Sequence, residues 1–249
     1  MRRSITVNKK VKVLAIFIWL GIWEIGYLLV GKEVLIPSPF HTLQALLKMM
    51  EGLSFYLHIL STFKRVFIGV GLSLVVGILT AVLGFYNGLI KAFIRPAVHF
   101  MKSTPVMAVI ILALLWFKSD EVPVFVCFLM CYPIIYTNIS EGLMHLDQEL
   151  IEMSKLYHVH FTDRFMSCDL PQLSAYLKAA LDLGLGMAFK VVIAAEVLAI
   201  PKYAIGYQLL DAKIYLETEE VFAWVIIIAL LSHLCSKGIE LIFKKRKIG

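Results

Sequence analysis

Four stretches of this chain carry no charged side chain at all: residues 66–90, 103–117, 122–140 and 221–236. The longest runs for 25 residues and the next for 19. A helix of about 20 apolar residues crosses the hydrocarbon of a bilayer, and somewhat fewer suffice where polar ends reach the headgroups. A soluble fold has no room for such runs, because its surface must interleave polar side chains with them. Composition agrees: 60% of the residues are hydrophobic and 17% charged, against about 45–50% and about 25% in soluble domains. The chain is expected to be an all-α polytopic membrane protein, with the lipid bilayer as its first partner.

Two further runs are interrupted by charge. Residues 11–30 contain Lys12 and Glu24, and residues 176–200 contain Lys178, Asp182, Lys190 and Glu196. Six transmembrane helices follow, near 11–30, 62–86, 103–118, 121–141, 174–200 and 220–243. The third is short and holds Pro105. A basic start (Arg2, Arg3, Lys9, Lys10, Lys12) gives the first run the look of a signal peptide. The run is too long for an ordinary h-region and no small-x-small cleavage site follows it, so an uncleaved first helix is expected.

Six spans put both termini on one side. The termini with the 87–102 and 142–173 loops hold 14 Lys and Arg, against at most seven in the opposite loops. The positive-inside rule makes both ends cytoplasmic, and with them the 142–173 loop. The net charge of +6 is thereby a matter of orientation, and no nucleic-acid partner is expected. Between the first two spans, Pro37 and Pro39 open an amphipathic stretch through Met50, which reads as a helix at the outer surface. Small residues recur every four positions at Gly69, Ser73, Gly77 and Ala81, and again at Ala180, Gly184 and Ala188. Such stripes let helices approach closely.

The sequence has no phosphate-cradling G-x-x-x-x-G-K-[ST] loop, no H-E-x-x-H, no G-x-S-x-G and no G-x-G-x-x-G. Catalytic residues, a bound metal and a cofactor are not expected in this chain, which is no enzyme on this reading. Cys127, Cys131, Cys168 and Cys235 have no His or carboxylate at metal-ligand spacing. Energy for any transport must come from an ion gradient or from a partner.

The 142–173 loop has a pattern of its own. Leu146, Leu150, Met153 and Tyr157 follow helical spacing, Asp147 is placed to cap the start, and Glu149, Glu152 and Lys155 occupy other sides. A second short segment, 160–167, leads to Cys168-Asp169-Leu170-Pro171, with the proline suited to the start of the fifth span. Spacing alone allows either a docking knob or a helix packed on the chain's own surface.

This loop resembles the "EAA" loop of binding-protein-dependent ABC importer permeases, E-A-A-x-x-x-G, nine residues, then I-x-L-P. Glu152 matches the glutamate, Met153 and Ser154 stand at the alanines, and His158 stands at the glycine. Cys168 replaces the isoleucine, while Leu170 and Pro171 match; Asp147 and Leu150 fit the lead-in. Further landmarks are similar to the sulfonate, nitrate, taurine and thiamine-precursor permeases of that family. These are Leu35-Ile-Pro-Ser-Pro39, the stretch from Pro105 to Trp116-Phe117, Ala194-Ala195-Glu196 and Gly206-Tyr207, in order over about residues 11–245. His158 and Asp182, the latter at a frequent arginine position, depart from the pattern.

The resemblance implies a type I ABC importer fold in a bacterial-type plasma membrane, multi-pass. It implies three partners: an ATP-binding subunit that uses the ATP, an extracytoplasmic substrate-binding protein, and a second copy of the chain. Residues 1–56 would form an N-terminal helix with the outer segment. Residues 57–243 would form the transmembrane domain with its coupling loop at 142–173, and 244–249 a basic cytoplasmic tail. Glu152, Ser154, Leu156 and Tyr157 would contact the ATPase, and Leu170-Pro171 would anchor the loop. Within the fifth span, Lys178 and Asp182 are four apart and expected to pair, whereas Asp182, Lys190 and Glu196 are candidates for the pathway or gate, since intramembrane charge is costly. The competing readings are an ion-gradient-driven transporter or channel using those charges, and a membrane scaffold that moves nothing. The six spans show no inverted repeat with paired broken helices, as a secondary transporter often has.

Overall fold

The computed structural model describes residues 9–245, and among them there is helix but no strand. Arg2, Arg3, Arg246 and Lys247, which helped to set the expected orientation, lie outside the described residues. Eleven α-helices follow in order: α1 Lys9–Val30, α2 Pro39–Glu51, α3 Leu53–Tyr86, α4 Gly88–Ser103, α5 Val106–Trp116 and α6 Val122–Met144. Then come α7 Gln148–Leu156, α8 Phe161–Arg164, a π-helical segment Phe165–Asp169, α9 Leu170–Ala199, α10 Ile205–Ile214 and α11 Thr218–Lys245. The chain is the all-α polytopic protein that its sequence leads one to expect.

Among the described residues, four helices are long and apolar enough to cross a membrane: Val13–Val30, Leu53–Tyr86, Val122–Met144 and Thr218–Phe243. Two of the other expected spans take a different form. The third, expected near 103–118, is the 11-residue α5, roughly 16 Å long and too short to cross alone. Residues 87–102, expected as a loop, instead form α4, joined to α5 across a bend of 105°. Asn87 caps α4 by accepting from the N–H groups of Leu89 and Ile90. Its inner face packs Ile94, Val98 and Met101 on the core, and Lys91, Arg95 and Lys102 had masked that periodicity. The bend falls at Thr104-Pro105, where the proline holds the preceding residue extended (φ −77°, ψ 129°). The helix expected as the fifth span forms as α9, and its four charges set it apart from the helices apolar enough to cross.

The described residues divide into two compact units, one drawn from Met1–Leu57 with Gln208–Ile227 and the other from His58–Tyr207 with Ile228–Gly249. In the first, Ser38 caps α2 by accepting from His41 N at 3.1 Å, as Pro37 and Pro39 led one to expect. Trp23 Nε1 donates to Pro37 O at 3.0 Å, and its ring stacks on Phe222 at 5.6 Å. Phe55 stacks on Trp224 at 5.2 Å, and Thr218 Oγ1 donates to Val34 O at 2.6 Å.

The second unit is built around α6. Val66, Val70, Cys131, Ile135, Phe189 and Val192 form one buried cluster between α3, α6 and α9. Ile110, Ala113, Val126 and Ala195 form another where α5 joins α6 and α9. Both small-residue stripes face α6. A Cβ added at Gly69 would lie 2.6 Å from Cys127 Cβ, and one at Gly77 would lie 2.9 Å from Ile135 Cγ2. Ser73 Oγ reaches the Phe128 carbonyl at 3.0 Å, and Cys131 Sγ reaches that of Gly184 at 3.4 Å. All four cysteines are free thiols, with Cys127 and Cys131 buried. Gly69→Val is expected to cost about 1–3 kcal/mol by overpacking, read as a lower unfolding temperature of the detergent-solubilised chain. Gly71→Val, where nothing lies within 4 Å of the added carbon, is the control and leaves it unchanged.

Candidate functional site

The helix expected in the 142–173 loop forms as α7. Asp147 Oδ1 accepts from Glu149 N at 3.0 Å and Leu150 N at 3.4 Å, which satisfies two of the donors that a helix start leaves open. Asp147 N in turn donates to Gln172 Oε1 at 2.9 Å, tying the loop to the first turn of α9. Leu146, Ile151 and Ser154 face the protein, with Leu146 and Ile151 on the core. Leu150, Met153, Leu156 and Tyr157 are left outside, the last two 76% and 71% exposed. Glu152 and Lys155 flank this apolar patch and are themselves exposed. Ser154, expected on the contact face, is 8% exposed instead. It lies three residues past Ile151 and eight past Leu146, so helical periodicity puts it on their side.

The turn after α7 explains the position where the pattern has glycine. His158 N donates to Lys155 O at 3.2 Å and Val159 N to Ser154 O at 2.9 Å, the paired bonds of a Schellman ending. That ending needs a left-handed residue, and His158 supplies it at φ 51°. An L-residue there costs roughly 1–2 kcal/mol, part of which a glycine would lose again in chain entropy. His158→Gly is therefore expected to steady the turn by up to about 1 kcal/mol, seen as roughly fivefold slower hydrogen exchange at residues 157–160.

From there α8 and the π-helical turn lead straight into α9. Asp169 is 5% exposed and its Oδ2 lies 3.3 Å from Arg164 Nε. Gln172 Nε2 donates to Cys168 O at 3.1 Å. Pro171 stands in the first turn of α9, directly after the π-helical turn, and Leu170 beside it is half-buried.

Glu196, at the far end of α9, is wholly buried and fully engaged. Arg65 Nη1 donates to its Oε1 at 2.7 Å and Thr62 Oγ1 does so at 2.9 Å, while Gly206 N reaches Oε2 at 3.1 Å. Arg65 also donates through Nη1 to Tyr203 O at 2.8 Å and through Nη2 to Asp120 Oδ1 at 2.6 Å. Ile205 N donates to Thr62 Oγ1 at 3.0 Å and Ala204 N to His58 Nδ1 at 2.9 Å. The network binds α3, the turn before α6, the end of α9 and the 200–206 segment together. Gly206 is needed for it, because an added Cβ would lie 2.5 Å from both Glu196 Cβ and Ile193 O. Ile200 opens that segment at φ 50°, a strained conformation for a β-branched residue which the surrounding bonds hold in place.

The candidate pathway residues are not gathered into one site. Glu196 belongs to this network, Asp182 is half-buried midway along α9, and Lys190 is exposed. Lys178 and Asp182, expected to pair, make no ion pair among the described residues, whose four bridges are His41–Glu33, Arg65–Asp120, Arg65–Glu196 and Arg164–Asp169. A lysine N-terminal to its acid is the weaker order for such a pair. Sequence reasoning missed Arg65, which was counted only as a basic residue bordering a span. The signal present was an arginine at the head of one apolar helix and a glutamate at the tail of another. Among the described residues no group of three or more His, Cys, Asp or Glu could hold a metal ion.

Comparison with known proteins follows the same lines. A family model described as "binding-protein-dependent transport system inner membrane component" matches residues 73–248. The putative aliphatic sulfonates transport permease protein SsuC of Bacillus subtilis is 24% identical over 228 residues, 91% of this chain and 82% of that one. The formylaminopyrimidine transport permease protein ThiX of Halalkalibacterium halodurans is 30% identical over 169 residues, 65% of this chain and 66% of that one. A chain of the methionine ABC transporter MetNI, in an inward-facing crystal form, shares the fold with a TM-score of 0.61 at 14% identity. The match covers 76% of this chain and 96% of that one.

Proposed function

The chain belongs to the family of binding-protein-dependent transport system inner membrane components, and from that membership we propose that it is the permease subunit of an ABC importer. It lies in the plasma membrane as a multi-pass protein. A separate ATP-binding subunit drives it from the cytoplasm, and an extracytoplasmic binding protein delivers a small solute to its other side. Two copies of the chain form the path. Residues 1–56 hold the first helix and the outer segment, 57–243 the transporting domain, and 244–249 a basic end.

The observation that carries this reading is the uncovered apolar face of α7. Leu150, Met153, Leu156 and Tyr157 stand out from the chain beside Glu152, in a loop that a Schellman turn and the Asp147–Gln172 bond hold in shape. Large apolar side chains on a polar loop mark a surface that another protein covers. The ATPase takes that place, with Glu152, Leu156 and Tyr157 as contacts, Ser154 as the small residue beneath them, and Leu170-Pro171 as the joint to α9. Closure of an ATPase dimer then moves α7, and α9 moves with it. Lys190 faces the solute path, and the Glu196 network holds the end opposite α7. ATP is consumed on the partner, so this chain needs no cofactor of its own.

Purification of the tagged chain from membranes tests the proposal. An ATP-binding subunit is expected to come with it, and proteoliposomes of the complex are expected to take up solute in a vanadate-sensitive way. Uptake driven by an ion gradient without that subunit would instead support a secondary transporter.

A further inference from the structure

The surface of α4 divides lengthwise into three strips. Ile94, Val98 and Met101 pack on the core. Lys91, Arg95, His99 and Lys102, each three or four positions from the next, line a second strip, and the last three of them are exposed. Leu89, Phe93 and Phe100 make the third and stand uncovered, Phe93 being 84% exposed. Helical periodicity sets the basic strip and the uncovered apolar strip on opposite flanks of the one that faces the core. A helix that crosses a membrane shows apolar side chains wherever its neighbours leave it bare, and a helix on a soluble surface turns its large apolar side chains inward. One flank for lipid tails and one for water suits a helix that lies along the membrane surface against its own protein.

The place of α4 in the fold agrees. It meets α5 across the 105° bend at Thr104-Pro105, so the two do not run through a bilayer as one straight rod. Lys91 Nζ lies 3.4 Å from Met144 Sδ, at the end of α6 that leads to Asp147 and α7. The helix therefore starts at the membrane face that carries α7. Charge narrows the choice of occupant. No aspartate or glutamate occurs between Glu51 and Asp120, and none of the four basic residues makes an ion pair among the described residues. Arg95 and Lys102 stand two turns apart, roughly 10 Å along the helix, so each can take a separate phosphate. Such side chains hold phosphate through charge-assisted hydrogen bonds, and their long stems reach from the apolar boundary to the headgroups.

We infer that α4 is an interfacial helix that binds anionic phospholipid. Leu89, Phe93 and Phe100 lie among the outer ends of the lipid tails, and Arg95 and Lys102, on either side of His99, hold the headgroup phosphates. That the leaflet is the cytoplasmic one rests on the permease reading; the lipid site rests on α4 itself. Headgroups held there anchor the arm that carries α5, whose Val109, Ile110 and Ala113 pack in the cluster with α6 and α9.

The test measures lipid retained by the full chain. Titrated in detergent with phosphatidylglycerol and phosphatidylcholine in equal amounts, the wild type is expected to keep phosphatidylglycerol in excess. Arg95→Gln with Lys102→Gln is expected to bind it about twenty-fivefold more weakly, near fivefold for each cation. Lys32→Gln with Lys213→Gln removes the same charge elsewhere and is expected to leave the preference unchanged. Equal retention by the wild type and the α4 variant overturns the site and leaves a basic strip that serves orientation alone. Should that variant fail to accumulate, KCl at about 1 M, which shortens the screening length to about 3 Å, is expected to abolish the wild-type preference, and a preference that survives it overturns the site. Nitroxides at Phe93→Cys and Lys102→Cys, with Cys168 and Cys235 replaced by Ala, read the depth of each flank in phosphatidylglycerol vesicles. Oxygen is expected to reach the first and water-borne nickel the second. Nickel at both overturns the interfacial placement. Loss of both accesses when the ATP-binding subunit is added gives the surface to that protein and overturns the lipid site. Retention and depth use neither transport nor ATP, so a failed lipid site leaves the permease reading standing, and a chain that moves no solute can still keep the site.

Discussion

Glu152→Lys is expected to reduce ATP-driven uptake to below a tenth of the wild-type rate while the chain still reaches the membrane at its usual level. Glu152 is exposed on α7 and bonds to nothing else among the described residues, so its replacement leaves the fold alone. Its setting makes the reversal severe at an interface. Lys155 is one turn away on the same helix, and a second lysine would present two like charges beside the apolar patch of Leu156 and Tyr157. Charges buried against the wrong sign at an interface cost about 2–5 kcal/mol, which is thirtyfold or more in affinity. The check pairs uptake with copurification of the ATP-binding subunit and with the unfolding temperature of the chain alone. Loss of the first two with the third unmoved is the expected pattern. Full uptake and full copurification would remove α7 from the coupling role.

Arg65→Met is expected to be the most damaging single change to stability, at about 3–5 kcal/mol. It strips the cation from Glu196, which has no exposure at all and would keep only Thr62 Oγ1 and Gly206 N as donors. The reverse change, Glu196→Gln, is expected to cost less. Arg65 then retains Asp120, whose side chain is 70% exposed, and the Tyr203 carbonyl. Replacing both partners, as in Arg65→Met with Glu196→Leu, is expected to recover part of the loss, because a buried charge without its partner is worse than no charge. Thermal unfolding of the three variants in one detergent reads the order directly. Equal midpoints for Arg65→Met and the wild type would mean that the bridge does not hold this end together. Asp120→Asn, at the exposed rim, is expected to shift stability by less than about 1 kcal/mol.

What could be read from the sequence divides along a physical line. Helix existence followed from uncharged run length, and the Asp147 cap, the small-residue stripes and the place of Pro171 followed from local spacing. Each depends on residues within a few turns of one another. The left-handed residue after α7 was also marked, because the resembling pattern has glycine where His158 stands. Contacts across the fold were not legible. Arg65 lies 131 residues from Glu196 and 55 from Asp120, and no periodicity links positions so distant. The α4–α5 bend was hidden for another reason. Lys91, Arg95 and Lys102 look like loop charges until the intervening Ile94, Val98 and Met101 are seen packed on the core. Ser154 was misread because the motif gives residue types and not the side of the helix each one takes.

The continuity of the π-helical turn with α9 has a mechanical meaning. No flexible joint separates the segment beginning at Phe165 from Ala199, and α9 alone has 30 residues, a rod of about 45 Å that outreaches the roughly 30 Å hydrocarbon layer. One tip is pinned to the loop carrying α7 through Asp147 and Gln172, and the other is bolted by Glu196 to the helix carrying Arg65. On the permease reading proposed above, a rod fixed at both tips passes a displacement received at the α7 end to the other end within the same stroke. Timing between the two faces is then a property of one helix, and a proline placed midway along it would leave both ends assembled yet out of step.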